Sequence, residues 1–367
     1  MALNIRSSPT LALAEDIAAG RRQGKDILSL STPSFPNIEI PAEVLSEGAN
    51  RLTPAEGLPE LREAARENMF GKWQLPDHGV FISAGAKLAI FSALKGLLQP
   101  ASRVLVVEPA WPSYIDFVEL AGNKAKVYAT AANDNFRIEA AALEQALEKS
   151  RPSAILLSNP GNPTGRVYSG NELELLLSAA ERYDAYLMID ESFSEIVFDR
   201  PAWRSAVTRK SPNVVLFNSF SKNFHLQGLR VAVCMANQKL LPILVGVHQT
   251  LVSSAPSASQ QIALNMLKQD NREDPAKTYN ESRALAAGII RDAGWQCSPN
   301  EGSFYFFPQL LNGQASFDQM RQAGLFALEG KAFGKPYKAH MRFCFGKPIQ
   351  EMKEIRNRLA SAGFITK

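Results

Sequence analysis

From residue 80 onward, short apolar runs alternate with segments whose apolar positions recur at helical spacing. The runs are Val80-Phe-Ile-Ser83, Arg103-Val-Leu-Val-Val107, Lys126-Val-Tyr-Ala129, Ala154-Ile-Leu-Leu157, Tyr186-Leu-Met-Ile189, Val214–Phe217 and Val231–Met235. Their brevity and near-continuous apolarity read as strands mostly buried on both faces. Between them, Leu88–Leu98, Ala140–Lys149 and Asn171–Tyr183 have the periodicity of helices. Such alternation predicts an α/β fold with a mainly parallel, seven-stranded sheet flanked by helices.

The two ends of the chain read differently. Residues 10–24 form a short helix with Leu11, Leu13, Ala14, Ile17 and Ala18 on one side, before an extended stretch at Asp26–Leu30. Ser31-Thr-Pro-Ser-Phe-Pro36 carries too much proline for a helix or a central strand and reads as a loop lying across something. Leu58–Asn68 predicts an amphipathic helix with a proline in its first turn. Beyond Ala255-Pro-Ser, residues 259–293 are helical with a break near Pro275. Ser303–Phe307 and Met341–Phe345 follow as strands of a smaller α+β domain.

Composition narrows the classes. With 367 residues, 46% of them hydrophobic, the chain can bury a core large enough for two domains. The net charge of +4 is the balance of 40 basic and 36 acidic residues with no long like-charged run, which argues against nucleic acid as a partner. Cys234, Cys297 and Cys344 are far apart and lie in or beside apolar segments, so reduced thiols are expected rather than disulfides or a metal site. No apolar run approaches the ~20 residues of a membrane span, and the start lacks the form of a signal peptide. The expected location is the cytoplasm, with no membrane partner and no metal.

In an open α/β sheet, ligands bind beyond the carboxyl ends of the strands, and there the polar clusters fall. After Val214–Phe217 comes Ser219-Phe-Ser-Lys222-Asn-Phe-His-Leu-Gln-Gly-Leu-Arg230, an amine among hydroxyls with an arginine fork suited to a phosphate. A lysine that forms a Schiff base beside a phosphate clamp fits pyridoxal 5′-phosphate; a surface lysine in a polar turn fits the segment as well. After Ala154–Leu157, the loop Ser158-Asn-Pro-Gly-Asn162-Pro-Thr-Gly165 either aims the Asn162 amide at a ligand or is a plain turn. Asp190 ends a buried strand, where it pairs with a cation such as a pyridinium nitrogen or caps a helix. Gly85-Ala86-Lys87 opens a helix whose free N–H groups suit a phosphate. Trp111, between prolines, either stacks on a flat ring or packs on the domain surface. Arg342, alternating with apolar neighbours, faces solvent or grips a carboxylate in a cleft.

Together, the order Gly85/Lys87, Trp111, Asn162, Asp190, Ser219/Lys222, Arg230, Arg342 and the loop Asn-Pro-x-Asn-Pro-Thr-Gly resemble the class I and II aminotransferases of the aspartate aminotransferase fold (fold type I). The resemblance runs from Ser8-Pro-Thr to Phe345. It implies a large cofactor-binding domain at about residues 46–250, a small domain built from 1–45 and 251–367, and a homodimer with active sites at the subunit interface. Lys222 would form the internal aldimine and shuttle the proton, Asp190 would pair with the pyridine nitrogen, and Trp111 would stack on the ring. Asn162 would contact the ring hydroxyl. Gly85, Ala86, Lys87, Ser219, Ser221 and Arg230 would hold the phosphate, and Arg342 the substrate's α-carboxylate. The implied reaction moves an amino group between an L-amino acid and a 2-oxo acid.

Three positions depart from the family pattern. Phe193 stands where a tyrosine usually contacts the cofactor's ring oxygen, and Leu52 where a tyrosine reaches the partner subunit's cofactor phosphate. Ser31 replaces a glycine on the substrate side. The missing hydroxyls keep a decarboxylase, lyase or cyclase on the same scaffold open as the alternative reaction.

Overall fold

A computed structural model of the chain describes residues 8–365, apart from 37, 39, 41–44, 46–48, 71, 72, 74, 199–210 and 270–273. In chain order the elements begin with α1 (Pro9–Arg22), β1 (Leu28–Ser29), α2 (Pro59–Phe70), β2 (His78–Ser83), α3 (Ala86–Leu97), β3 (Arg103–Glu108), α4 (Ser113–Leu120) and β4 (Lys124–Ala129). Next come α5 (Ala140–Ser150), β5 (Ala154–Ser158), α6 (Gly170–Arg182), β6 (Tyr186–Asp190), β7 (Val214–Ser219), α7 (Phe220–Asn223), β8 (Ala232–Asn237), α8 (Leu241–Val252) and α9 (Ser257–Lys268). The last are α10 (Pro275–Thr278), α11 (Asn280–Asp292), β9 (Tyr305–Phe306), α12 (Gln314–Gln322), β10 (Leu325–Phe326), β11 (Leu328–Glu329), β12 (Met341–Cys344) and α13 (Ile349–Ser361).

The seven predicted apolar runs form one seven-stranded sheet in the order β2-β8-β7-β6-β5-β3-β4. β8 lies antiparallel to β2 and β7, and the remaining pairs are parallel. Period-2 alternation sends successive side chains to opposite faces. Ile155, Ile189 and Leu216 meet Leu61 of α2, Leu143 of α5, Leu176 of α6 and Ile262 of α9 on one face. Val106, Met188 and Phe217 meet Ile90 of α3, Val118 of α4 and Leu244 of α8 on the other. Each such fully buried side chain contributes about 1.5–3 kcal/mol. β4 corrects the expectation of burial on both faces: it is the edge strand, with Tyr128 buried while Lys124 and Lys126 face solvent. Lysines there discourage pairing with another chain.

A second core gathers Ile289 of α11, Phe317 of α12 and Ile355 of α13 around Phe304, Met341 and Phe343. β11, β12 and β9 make its small antiparallel sheet. β1 pairs with β10 in parallel, and Leu30 just after it is buried in the same core, so both chain ends build this unit. Phe193, Ile196 and Phe198, which follow β6, also pack there. Ile262 and Ala263 of α9 stay in the core of the large sheet. Residue 46, where the large domain was expected to start, lies outside the described residues.

Candidate active site

Because β3, β5, β6 and β7 are parallel, their carboxyl ends share one edge of the sheet. β8 starts at that edge, with Ala232 opposite both Ser83 and Ser219. The polar turns that follow these strands therefore meet. They border a cavity of about 570 Å³ lined by Ala86, Lys87, Trp111, Asn162, Asp190, Phe193, Ser219, Ser221, Lys222, Arg230 and Arg342, among others. That volume suits a small-molecule ligand. Of the residues singled out by sequence, Gly85, Ser31 and Leu52 do not line it.

Lys222 sits in α7, a single turn begun by Ser219, whose side chain accepts the Ser221 N–H at 3.1 Å. Behind the turn, Asn223 Nδ2 donates to Asn218 Oδ1 at 2.7 Å and to Ser194 Oγ at 3.1 Å, so a buried polar network fixes the lysine's backbone. Burial pushes the Lys222 amine down to about 8, with Arg342 the next cause. Removing an ammonium from water disfavours its charged form, and the amine becomes a usable nucleophile and base near neutrality.

Asp190 is buried at the end of β6. Its partners are neutral donors: Tyr114 hydroxyl to Oδ2 at 2.6 Å, and Ser192 N–H and hydroxyl to Oδ1 at 3.0 and 2.6 Å. Burial nevertheless raises its pKa, opposed by these donors. A buried carboxylate so arranged is suited to a cationic N–H from a ligand.

Also lining the cavity, Arg230 Nη1 reaches Ser221 Oγ at 3.5 Å and the Gln227 carbonyl at 3.0 Å. Gly85, at φ +93°, comes so close to the Arg230 guanidinium that a side chain at that position would collide with it. It caps α3, whose first N–H groups have no intrahelical acceptor, and with Arg230 they make an anion site.

Arg342, on β12, is buried. Its Nη1 donates to Asn162 Oδ1 at 3.1 Å and its Nη2 to the Ser31 carbonyl at 3.0 Å, while Nε has no partner. The guanidinium carbon lies 4.4 Å from the centre of the Tyr305 ring and 5.4 Å from that of Phe333. Held in a plane with a buried donor unused, it is ready for a carboxylate. Ser31 supports it from behind: its hydroxyl donates to the Arg342 carbonyl at 2.6 Å and accepts the Leu328 N–H at 2.7 Å. Ser31 lies outside the cavity lining and acts as a strut behind Arg342, which the proline-rich loop crosses.

Trp111 is half-buried, edge-on to Tyr114 at 5.5 Å and Phe117 at 5.8 Å, and it lines the cavity. Lys87 Nζ lies 5.3 Å from its ring centre; burial and then Arg230 lower the pKa of that amine. Phe193 lines the cavity while packing edge-on to Phe304 at 5.2 Å and Tyr305 at 5.7 Å. Sequence reasoning passed over Tyr114, Ser192 and Tyr305. Tyr114 lies one helical turn past Trp111, and that spacing was the available signal. Thr10 and Leu11, at the start of α1, also border the cavity.

An amine near neutrality, a buried carboxylate awaiting a cation, an anion site and an unspent arginine, all at the carboxyl edge of one sheet, fit pyridoxal 5′-phosphate and an amino acid. Residues 34–359 match the family described as aminotransferase class I and II, and the chain belongs to that family. It is 28% identical over 364 residues to an aspartate aminotransferase of Thermotoga maritima, covering 96% of this chain and 95% of that one. It is 25% identical over 382 residues to an asparagine–oxo-acid transaminase of Streptococcus mutans, covering 97% and 96%. The solved aspartate aminotransferase of Thermus thermophilus with maleate superposes at a TM-score of 0.86 over 98% of this chain and 97% of that one, at 23% identity, which shows the shared fold. The protein is accordingly an aminotransferase that depends on pyridoxal 5′-phosphate.

Proposed function

We propose that Lys222, Asp190, Arg230 and Arg342 divide the work of amino transfer between an L-amino acid and a 2-oxo acid. The observation that carries this reading is the single cavity shared by the Lys222 amine, the neutral-donor-held Asp190 carboxylate and the Arg342 guanidinium. Bound there, the cofactor supplies an aldehyde to receive the amino group and a ring that draws electrons from the substrate's α-carbon. Asp190 takes the ring's N–H and keeps it protonated. Arg230, Ser219, Ser221 and the first N–H groups of α3 hold the phosphate, Trp111 covers the ring, and Asn162 donates to its oxygen. Arg342 fixes the α-carboxylate through its free Nε and an Nη. Lys222 Nζ, as the free base, would take the α-proton and hold it for return.

Lys87 gives a substrate class. Its backbone starts α3 beside the phosphate end, and its side chain lines the cavity, where Asp116 is the acidic group that acts on its amine. A distal carboxylate on the substrate would meet that amine, in keeping with relatives named aspartate aminotransferase. The relatives are named for transfer, and nothing in the site favours the lyase alternative.

Three further assignments belong to the same reading. Leu52, Ile243, Leu251 and Val252 are exposed apolar side chains on a single copy, and a homodimer would cover them. Its domains divide near residue 268, after α9, rather than near 250, because Ile262 and Ala263 pack on the large sheet. Its three free thiols are in keeping with a reducing compartment such as the cytoplasm. The decisive experiment is a panel of amino acids with 2-oxoglutarate. Glutamate forms, fastest with acidic donors, and Lys87→Ala erases that preference; product without glutamate would mean another reaction.

A further inference from the structure

We propose that the ring of Phe35 is a seat for the Lys222 side-chain amine, and that His225 and Tyr279 are positioning residues that hold the seat. This rests on the reading of Lys222 above. Lys222 Nζ lies 4.9 Å from the centre of the Phe35 ring. At that distance the negative face of an aromatic ring attracts an ammonium group. Among the described residues, the amine has no hydrogen bond or ion pair that competes with this contact.

The seat is fixed from several directions. The Phe35 ring stacks on His225 with centres 5.1 Å apart at 26°, and meets Phe304 edge-on at 5.6 Å. His225 Nε2 shares a hydrogen bond of 2.8 Å with the Tyr279 hydroxyl. Next to Phe35, the Ser34 N–H donates to the Gly346 carbonyl at 2.9 Å, and its hydroxyl accepts from Lys347 Nζ at 3.5 Å. Lys347 in turn pairs with Glu351 at 2.6 Å. Phe35 and Tyr279 belong to the second core, whereas Lys222 and His225 follow β7 of the large sheet. The seat therefore closes across the junction of the two units.

The charged and titratable neighbours mostly oppose a protonated Lys222. Arg342 and, to a smaller degree, Arg230 repel it, the His225 imidazole has its own pKa lowered by burial and by Lys222, and Cys344, ranking between the two arginines, acts in the other direction. An aromatic face that steadies the ammonium sets where the amine stands when its proton leaves to solvent. From there the free base can add to an incoming aldehyde, forming the imine with release of water.

The test uses the full-length chain freed of cofactor, and follows the return of yellow absorbance on adding pyridoxal 5′-phosphate between pH 6 and 10. Uptake needs the free base, so the pH midpoint of the rate reports the Lys222 amine, about 8 in the wild type. Phe35→Leu should move that midpoint down by about half a unit, because the ammonium loses its aromatic partner. Phe35→Tyr should restore it. His225→Asn, which tolerates the left-handed backbone at φ +57°, and Tyr279→Phe should shift it the same way by less. A yellow Phe35→Leu protein whose midpoint is unchanged or higher overturns the seat, even if uptake slows equally at every pH, since that is the mark of a structural role. A wild-type chain that never turns yellow would instead overturn the assignment of Lys222, and the seat with it.

Discussion

The Tyr114 hydroxyl donates to Asp190 Oδ2 at 2.6 Å, joining the first turn of α4 to the end of β6 inside the protein. Tyr114 is fully buried, and burial with the adjacent carboxylate drives its own pKa well up, so it stays a donor at any working pH. Donors to the ionised form offset the desolvation that raises Asp190. Tyr114→Phe leaves that carboxylate with Ser192 alone. A bond to a charged group contributes about 1.5–3 kcal/mol, so cofactor affinity should fall by about tenfold or more. Absorbance titration with pyridoxal 5′-phosphate measures it, and an unchanged affinity would remove Tyr114 from this role.

Lys222 makes a prediction about stability and pH. Its folded-state pKa of about 8 lies below the ordinary lysine value of 10.5, so between these values the unfolded chain binds more protons than the folded one. Stability of the cofactor-free protein therefore rises with pH across that window as the cost of burying the ammonium is relieved. Lys222→Ala has no such cost. Its stability advantage over wild type should be largest at pH 7 and shrink by about 1–3 kcal/mol toward pH 10.5. Denaturant melts at several pH values compare the two; a difference that stays constant would mean the lysine is not desolvated.

Arg342 and Ser31 give paired variants. Arg342→Lys keeps the charge but loses the fork, and KM for both the amino acid and the oxo acid should rise by about 10- to 100-fold. Ser31→Gly removes the hydroxyl that joins the Arg342 carbonyl to the Leu328 N–H, with an expected loss of about 1–2 kcal/mol in stability and a smaller rise in KM. If Ser31→Gly changed KM as much as Arg342→Lys, Ser31 would touch substrate after all.

Phe193→Tyr restores a hydroxyl at a wall of the cavity. A donor to the cofactor's ring oxygen favours its ionised form, so the yellow absorbance should titrate at lower pH than in wild type. The same or a higher titration point would mean that Phe193 does not sit beside that oxygen.

How much of this was legible beforehand follows from range. Strands β5 to β7 declare themselves because every side chain but Tyr186 is buried, which leaves continuous apolar runs in the sequence. Their carboxyl ends then draw attention to Asp190 and Lys222, while their roles came from the family resemblance. Ser31 and Arg342 lie 311 residues apart, so their bond has no local trace. Phe193 follows β6 in sequence yet packs in the second core, a choice made by tertiary packing. α4 is absent from the sequence reading since Trp111-Pro112 hides its start. α8 was missed because Ile243 and Leu251 are exposed on it while Leu244 and Val245 are buried, which blurs the helical period.

The most direct test of the account is the absorbance of the purified protein, wild type beside Lys222→Ala, before and after an amino acid and then 2-oxoglutarate are added. The account predicts that the wild type is yellow, loses that absorbance with the amino acid, and regains it with 2-oxoglutarate as glutamate appears. Lys222→Ala should complete no such cycle. A wild-type protein that takes up no cofactor, or one that consumes the amino acid without forming glutamate, would contradict it.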